Sequence, residues 1–267
     1  MSDWNNMDSW EVVLPPSRPT PPELERIEKY LSGLSRKKPI AVLGSTPEFR
    51  ELLYRLGFEK RFVFDRSMDF YLRMGKLIPE QVQIGEKMVL GEWYDTLPEY
   101  KGQFAIVLSD LTMGNVPYER RKEFYSKIYD VLNPAGTFID KVLAFDFDVP
   151  TIENLFKIYE KKPINLRTVN DFSSEVLFCS ELVVREQMVD STKLYDYIDN
   201  GNFSDKIKFF SRKARMITPE GFVWYYGKKW SELVEDYSSL YCRQEIYSEE
   251  DRESPYYRRT KQFFNIK

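Results

Sequence analysis

Pro39-Ile40-Ala41-Val42-Leu43-Gly44-Ser45-Thr46-Pro47-Glu48-Phe49, running on to Arg61-Phe62-Val63-Phe64-Asp65, reads as a strand, a turn, a helix and a second strand that closes on an acid. Ile40–Leu43 is a short apolar run, and Gly44 permits the sharp turn and close ligand approach that a Cβ would hinder. Thr46 is placed to cap a helix that Pro47 starts, because proline's missing N–H costs nothing at the first helical position. Phe49, Leu52, Leu53 and Leu56 then share one helical face. Asp65 follows Gly44 by about 20 residues, the spacing at which an open α/β sheet grips an adenosine. The turn sits at the end of the first strand, and a carboxylate at the end of the second accepts the ribose hydroxyls.

The rest of the composition narrows the chemistry. A chain of 267 residues with 42% hydrophobic content can bury a large core, which favours one domain with an added subdomain. The net charge of −3 is built from interspersed charges, and basic clusters such as Arg36-Lys37-Lys38, Lys228-Lys229 and Arg258-Arg259 are small. That pattern disfavours nucleic acid as a partner, since phosphate neutralisation calls for a concentrated basic face. Cys179 and Cys242 have no motif spacing, and neither a zinc site nor a disulfide framework is expected. The acidic, proline-rich N-terminus has no continuous apolar run, so neither a signal peptide nor a membrane span is expected, and a reducing cytosol is the default location. Histidine is absent altogether. The usual general base and the Ser-His and Cys-His nucleophile pairs go with it. Chemistry here falls to carboxylates, tyrosines, lysines, the backbone or a cofactor.

Thr20-Pro21-Pro22-Glu23 has capping-box spacing, and Leu24, Ile27, Leu31 and Leu34 form a stripe, predicting a helix over 21–34. After Asp65 come a helix at 67–75, a strand at Lys87–Leu90 leading into Gly91-Glu92-Trp93, and a strand at Phe104–Leu108 ending on Ser109-Asp110. A helix at 117–132 and a fifth strand at Thr137–Leu143 follow. Alternation of this kind implies a parallel sheet with right-handed crossovers. Residues 150–161 and 172–188 read as helices, although 176–184 carries enough Val and Leu for a strand. Residues 190–240 lack strand alternation and hold Tyr195, Tyr197, Phe203, Phe209, Phe210, Phe222, Trp224, Tyr225, Tyr226 and Trp230. Tyr241–Tyr247 and Thr260–Ile266 are extended runs whose hairpin would add antiparallel strands to the sheet edge.

Taken together the pattern resembles a class I S-adenosylmethionine-dependent methyltransferase, over roughly 38–145. The matching pieces are Val42-Leu43-Gly44-Ser45-Thr46-Pro47-Glu48, Val63-Phe64-Asp65-Arg66-Ser67, Gly91-Glu92-Trp93, Leu108-Ser109-Asp110 and Leu132-Asn133-Pro134-Ala135-Gly136. Pro16-Ser17-Arg18-Pro19 ahead of a helix is also similar to a bacterial branch with an LG-x-TPE turn. The resemblance implies an α/β, Rossmann-like, mostly parallel sheet with helices on both faces, an antiparallel C-terminal hairpin and an aromatic-rich helical insertion. It divides the chain into an arm and helix (1–37), a cofactor-binding core (38–189), an insertion or lid (190–240) and the hairpin (241–267). S-adenosyl-L-methionine is the implied cofactor. Gly44, Ser45 and Thr46 would face its methionine part, and Asp65, with Arg66 and Ser67 beside it, its ribose. Glu92 and Trp93 would border the adenine, and Asp110 and Leu111 the methionine and reaction side. The family's commoner turn has two or three glycines, whereas here Ser45-Thr46-Pro47 follow the single Gly44. Arg18 is expected to reach over the site and pair with a carboxylate through both nitrogens.

Under this reading the acceptor is a small molecule and Asp110 lies at the reaction centre. Asp110, Glu92 or a tyrosine of the later segment could take a proton. A metal-assisted route through Asp110 with Asp140, Asp146 or Asp148 is not specific, and no metal is assigned. The aromatic segment serves equally as a pocket wall or as a subdomain core or homodimer interface. Each site residue also has a plainer reading: Asp65 as a helix cap, Glu92 as a surface acid, Trp93 as a core ring, Asp110 as a turn residue. Two other functions compete, a non-catalytic binding protein on the same fold and a nicotinamide-dependent oxidoreductase. The second lacks its G-x-G-x-x-G turn.

Overall fold

Ile40–Leu43 (β1) is buried at every residue, as a strand covered on both faces must be, and it lies inside the sheet, third from one edge. The computed structural model describes residues 13–14, 17–143, 150–180, 188–225, 230–248 and 260–267. Around β1 stand Arg61–Asp65 (β2), Glu86–Leu90 (β3), Phe104–Asp110 (β4) and Leu132–Leu143 (β5), all parallel. Within the C-terminal region, Arg243–Ser248 (β8) and Thr260–Ile266 (β9) complete a seven-stranded sheet in the order β3-β2-β1-β4-β5-β9-β8. β9 runs antiparallel to both β5 and β8, which is the expected hairpin. The charged turn expected inside that hairpin lies outside the described residues.

The period of two sorts the strand side chains into two cores. Ala41, Leu43, Phe62, Phe64, Val107 and Phe138 face one side, where they meet Phe124, Ile128 and Val131 of Arg121–Val131 (α6). Ile40, Val42, Ile106, Leu108, Ile139 and Phe264 face the other. There they pack on Ile27 and Leu31 of Pro21–Ser32 (α1) and on Phe49, Leu52 and Leu53 of Pro47–Arg55 (α2). The capping box on α1 forms as expected, with the Glu23 amide donating to Thr20 Oγ1 and the Thr20 amide to Glu23 Oε2. At α2 the cap differs from expectation: Thr46 is the N-cap but its hydroxyl makes no capping bond. Pro47 sets the helix start without it.

A third core changes the division of the chain. Ile152–Tyr159 (α7) and Leu166–Cys179 (α8) share apolar contacts with Ser191–Asn200 (α9) and Asp205–Ala214 (α10), through Phe156, Tyr159, Phe172, Tyr195, Ile198 and Phe210. The helices on both sides of residue 190 therefore form one layer, and the expected boundary at 189/190 cuts through it. Trp230–Ser238 (α11), assigned to the insertion, instead packs Leu233 and Tyr237 into the sheet core. The strand alternative for 176–184 gives way to α8 through Cys179, and 181–187 lie outside the described residues. Among the described aromatics of 190–240, Tyr195, Phe210 and Tyr237 belong to these cores and Phe203 packs against one of them.

One two-stranded ribbon has no counterpart in the sequence reading. Met188–Asp190 (β6) pairs antiparallel with Val223–Tyr225 (β7). It docks on the turn Thr112–Asn115 that follows β4. Trp224 packs against Gly114, where an added Cβ would stand 1.5 Å from the indole. Arg121, at the start of α6, donates to the carbonyls of Met113 and Val116 (both 3.3 Å) and of Tyr225 (2.9 Å), tying turn and ribbon together. Gly114→Ala should therefore push the ribbon off the turn at a cost of about 1–3 kcal/mol. Urea denaturation measures that cost, and an unshifted midpoint would mean Trp224 gives way freely.

Candidate ligand site at the carboxyl edge of the sheet

Strand register brings the expected residues into one row. Leu43 is paired with Phe64 on one side and with Ser109 on the other. The next residue on each strand is therefore level: Gly44, Asp65 and Asp110. Asp65 is paired in turn with Leu90, and Asp110 with Lys141. The row Leu90, Asp65, Gly44, Asp110, Lys141 crosses the carboxyl edge at the point where strand order reverses between β1 and β4, which is where open α/β sheets bind ligands.

A cavity of about 970 Å³, counting the open solvent at its mouth, sits over this row. Gly44, Ser45, Thr46, Asp65, Arg66, Ser67, Glu92, Trp93 and Asp110 all line it. Gly44 has φ +81°, a conformation that costs glycine nothing, and a Cβ there would meet no atom within 4 Å. Backbone shape rather than crowding calls for glycine. Asp65 is buried, its Oδ2 accepting from Ser45 Oγ at 2.6 Å and its Oδ1 from the Ser67 amide at 3.0 Å. Burial raises its pKa, while those two bonds pull it back down. Ser67, not Asp65, caps the helix Met68–Gly75 (α3). Trp93 donates from Nε1 to the Phe64 carbonyl at 3.1 Å, which fixes the indole beside β2. Glu92 is half exposed, 3.9 Å from Arg66.

Asp110 sits in a denser charge arrangement. Its side chain is 3% exposed and its Oδ1 lies 3.4 Å from Lys141 Nζ, itself 2% exposed. Lys141 also bonds Glu23 Oε2 at 3.0 Å and the Arg18 carbonyl at 3.0 Å. Burial, with Glu48 opposing Lys141, raises the Asp110 pKa to about 6. Arg18 does pair with a carboxylate, but an internal one: it holds Glu48 Oε1 of α2 from Nε (2.6 Å) and a second guanidinium nitrogen. The expected pairing through two nitrogens thus forms, onto a residue of α2.

Leu111 is the one expected site residue that the fold does not bring into this cavity. It adopts a left-handed conformation, φ +56° and ψ +17°, and lines a smaller cavity with Met113, Gly114, Arg121 and Trp224. That twist turns Thr112, Asn115 and Val116 into the main cavity, joined by Phe70, Met74, Gly91 and Tyr94. Position after an acid-ended strand is the sequence signal that could have found Thr112 and Asn115. Lys141 carried a clearer signal, being a charge inside an otherwise apolar strand. Asp140, its neighbour, points to the opposite face, where it accepts from Tyr237 Oη at 2.6 Å, and burial raises its pKa to about 7. Among the described residues no cluster of acids, cysteines or histidines could hold a metal ion. Asp146 and Asp148 lie outside the described residues. No helix among the described residues is long and apolar enough to cross a membrane.

No family model matches the chain, and no curated protein is similar to it in sequence. Solved structures share its fold. A structure solved under the name of a Zn-dependent alcohol dehydrogenase from Rhodobacter sphaeroides is 16% identical, covering 94% of this chain and 92% of that one, with a TM-score of 0.54. A SAM-dependent methyltransferase from Methanosarcina mazei is 13% identical, over 93% and 97% of the two chains, with a TM-score of 0.50. The glycopeptide N-methyltransferase MtfA, complexed with S-adenosyl-L-methionine, is 16% identical at a TM-score of 0.39, and the match spans 46% of this chain and about half, 54%, of MtfA. The architecture is a Rossmann-like fold, a mostly parallel sheet with an antiparallel hairpin, shared with the Methanosarcina mazei structure.

Proposed function

We propose that the protein transfers a methyl group from S-adenosyl-L-methionine to a small-molecule acceptor, and that its turn is the LG-x-TPE variant of the family's glycine turn. The observation that carries this reading is the level row of Gly44, Asp65 and Asp110 beneath one cavity at the reversal of strand order. The insertion of antiparallel β9 between β5 and β8 favours it over a nicotinamide enzyme, whose sheet commonly runs 3-2-1-4-5-6.

The residues present fit the cofactor. Gly44 leaves open space where a Cβ would stand, Asp65 offers acceptor oxygens for a diol, and Trp93 offers a ring face beside them. When bound, the cofactor supplies an electrophilic methyl carbon on a sulfonium. The chain's own work is to align, to exclude water and to hold charge. Asp65 orients the ribose, Glu92 and Trp93 bound the base, and the backbone at Gly44 and Ser45 meets the amino-acid end. Asp110 stands at the reacting end as the titratable group there. No histidine is needed for such a displacement.

Calorimetry with S-adenosylhomocysteine should give one site per chain. Thermal stabilisation by NAD or NADP, with none by adenosyl ligands, would reverse the assignment.

A further inference from the structure

The helical layer carries an apolar groove at the end where α8 begins and α10 finishes. Ile164, Leu166 and Val169 contribute from the α8 side and Phe209, Met216 and Ile217 from the α10 side, around a cleft of about 660 Å³ counting its open mouth. Ile164, Leu166 and Met216 are 51%, 48% and 56% exposed, so three large aliphatic side chains stand in water around one groove. Exposed apolar surface gathered in this way marks an interaction site.

The charges beside the groove are positive. Lys213 lines it, with its ammonium 5.8 Å from the Phe209 ring. Phe209, Arg212, Lys213 and Met216 fall at i, i+3, i+4 and i+7, so the two exposed cations flank the line from Phe209 to Met216. Lys161 and Lys162 stand just ahead of Ile164 in the loop between α7 and α8. The acids of these segments are engaged or turned to other places. Asp171 is held by Arg167 at 3.1 Å, and Glu160 accepts from Ser204 Oγ. Asp205 shares the Phe209 face but opens α10, at the helix end away from Met216. Among the described residues no acid lines the groove.

We propose that this end of the helical layer docks on an anionic lipid surface. Ile164, Leu166 and Met216 enter the boundary between headgroups and acyl chains, while Arg212 and Lys213 meet the lipid phosphates. Such docking needs no spanning helix. The whole chain carries a net charge of −3, so attraction to an anionic surface comes from this local patch and not from overall charge. A second copy suits the groove less well, because a two-fold contact would set Arg212 and Lys213 against their own equivalents. A globular protein partner would call for aromatic anchors and a core poor in lysine, whereas the protruding groups here are aliphatic and edged by cations. Docking at this end is independent of what the cavity at the sheet edge binds.

Co-sedimentation of the full chain with phosphatidylcholine vesicles, pure or containing about 30% phosphatidylglycerol, tests this. Binding to the anionic vesicles should be roughly tenfold or more tighter than to the neutral ones, and that advantage should vanish near roughly 0.5 M salt. Arg212→Gln with Lys213→Gln should weaken it about tenfold, and so should Ile164→Ser with Met216→Ser at low salt. Lys37→Gln with Lys38→Gln removes the same charge from the exposed segment before β1 and should leave binding within about twofold. Wild-type protein that pellets with neither vesicle, or with both alike, would overturn the assignment, as would a loss in the Lys37 and Lys38 variant equal to that in the Arg212 and Lys213 variant. A dimer seen by light scattering that Ile164→Ser with Met216→Ser dissolves, without vesicle binding, would give the groove to a second copy instead. The comparison of two vesicles needs no variant, so a folding defect in one would not shield the proposal.

Discussion

Replacing Asp65 by asparagine is expected to weaken S-adenosylhomocysteine binding by about a hundredfold or more while leaving the melting temperature within a few degrees of wild type. The two oxygens of Asp65 have four lone pairs between them, and Ser45 Oγ and the Ser67 and Arg66 amides all bond the carboxylate. A vicinal diol would use the acceptor capacity left over. Hydrogen bonds to a charged group contribute about 1.5–3 kcal/mol each, and two of them convert to roughly 10²–10⁴-fold in affinity. The Asp65→Asn side chain retains the shape and an oxygen for the Ser67 amide, which protects the turn into α3. It loses the charge and one of the two acceptors. Asp65→Ala should cost binding and stability together, because Ser45 and Ser67 both lose their partner. Unchanged affinity in Asp65→Asn would reduce this acid to a turn residue.

Arg50→Met should destabilise the fold by about 3–5 kcal/mol, the largest stability effect expected outside the cores. Arg50 and Glu86 are 0% and 1% exposed, joined at 2.8 Å by one guanidinium nitrogen and at 3.1 and 3.2 Å by Nε. Tyr71 donates to the same carboxylate at 3.1 Å, and the guanidinium stacks 4.4 Å over its ring. The pair clamps α2, which begins at the glycine turn, to edge strand β3 and to α3. Removing the arginine leaves a buried carboxylate bonded to the Tyr71 hydroxyl, with Arg61 the remaining cation acting on it. Removing both charges, as Arg50→Met with Glu86→Leu, should recover most of the loss, since desolvation of the pair offsets much of its attraction. Urea denaturation of the two variants measures this. A single variant as stable as the wild type would mean that water reaches Glu86.

The sheet edge and the outer helical layer were unequally legible before folding. Residues 38–65 announced themselves because every signal in them is local: a buried run, a proline start, a stripe at helical spacing, an acid at a strand end. Gly44, Asp65 and Asp110 were each legible at a strand end in the same way, but that they stand level was decided by the pairing of Leu43 with Phe64 and Ser109. The ribbon of β6 and β7 was not legible, because three-residue strands carry no period to detect. Nor was the layer of α7–α10 legible as one unit. Each helix is amphipathic, and amphipathicity says that a face is covered without saying by what.

Sequence alone thus determined the architecture of the central sheet, the left-handed turn at Gly44, the place of Asp65 at the end of β2 and a composition without histidine, because short-range spacing and chain composition control all four. Tertiary structure decided that Leu111 turns away while Thr112 and Asn115 turn in, that Arg18 grips Glu48, and that Lys141 is shared between Glu23 and Asp110. Those outcomes hang on contacts between residues up to 118 positions apart, as Lys141 and Glu23 are. Electrostatic balance in a buried cluster is a sum over such distant partners, and no window along the chain contains it.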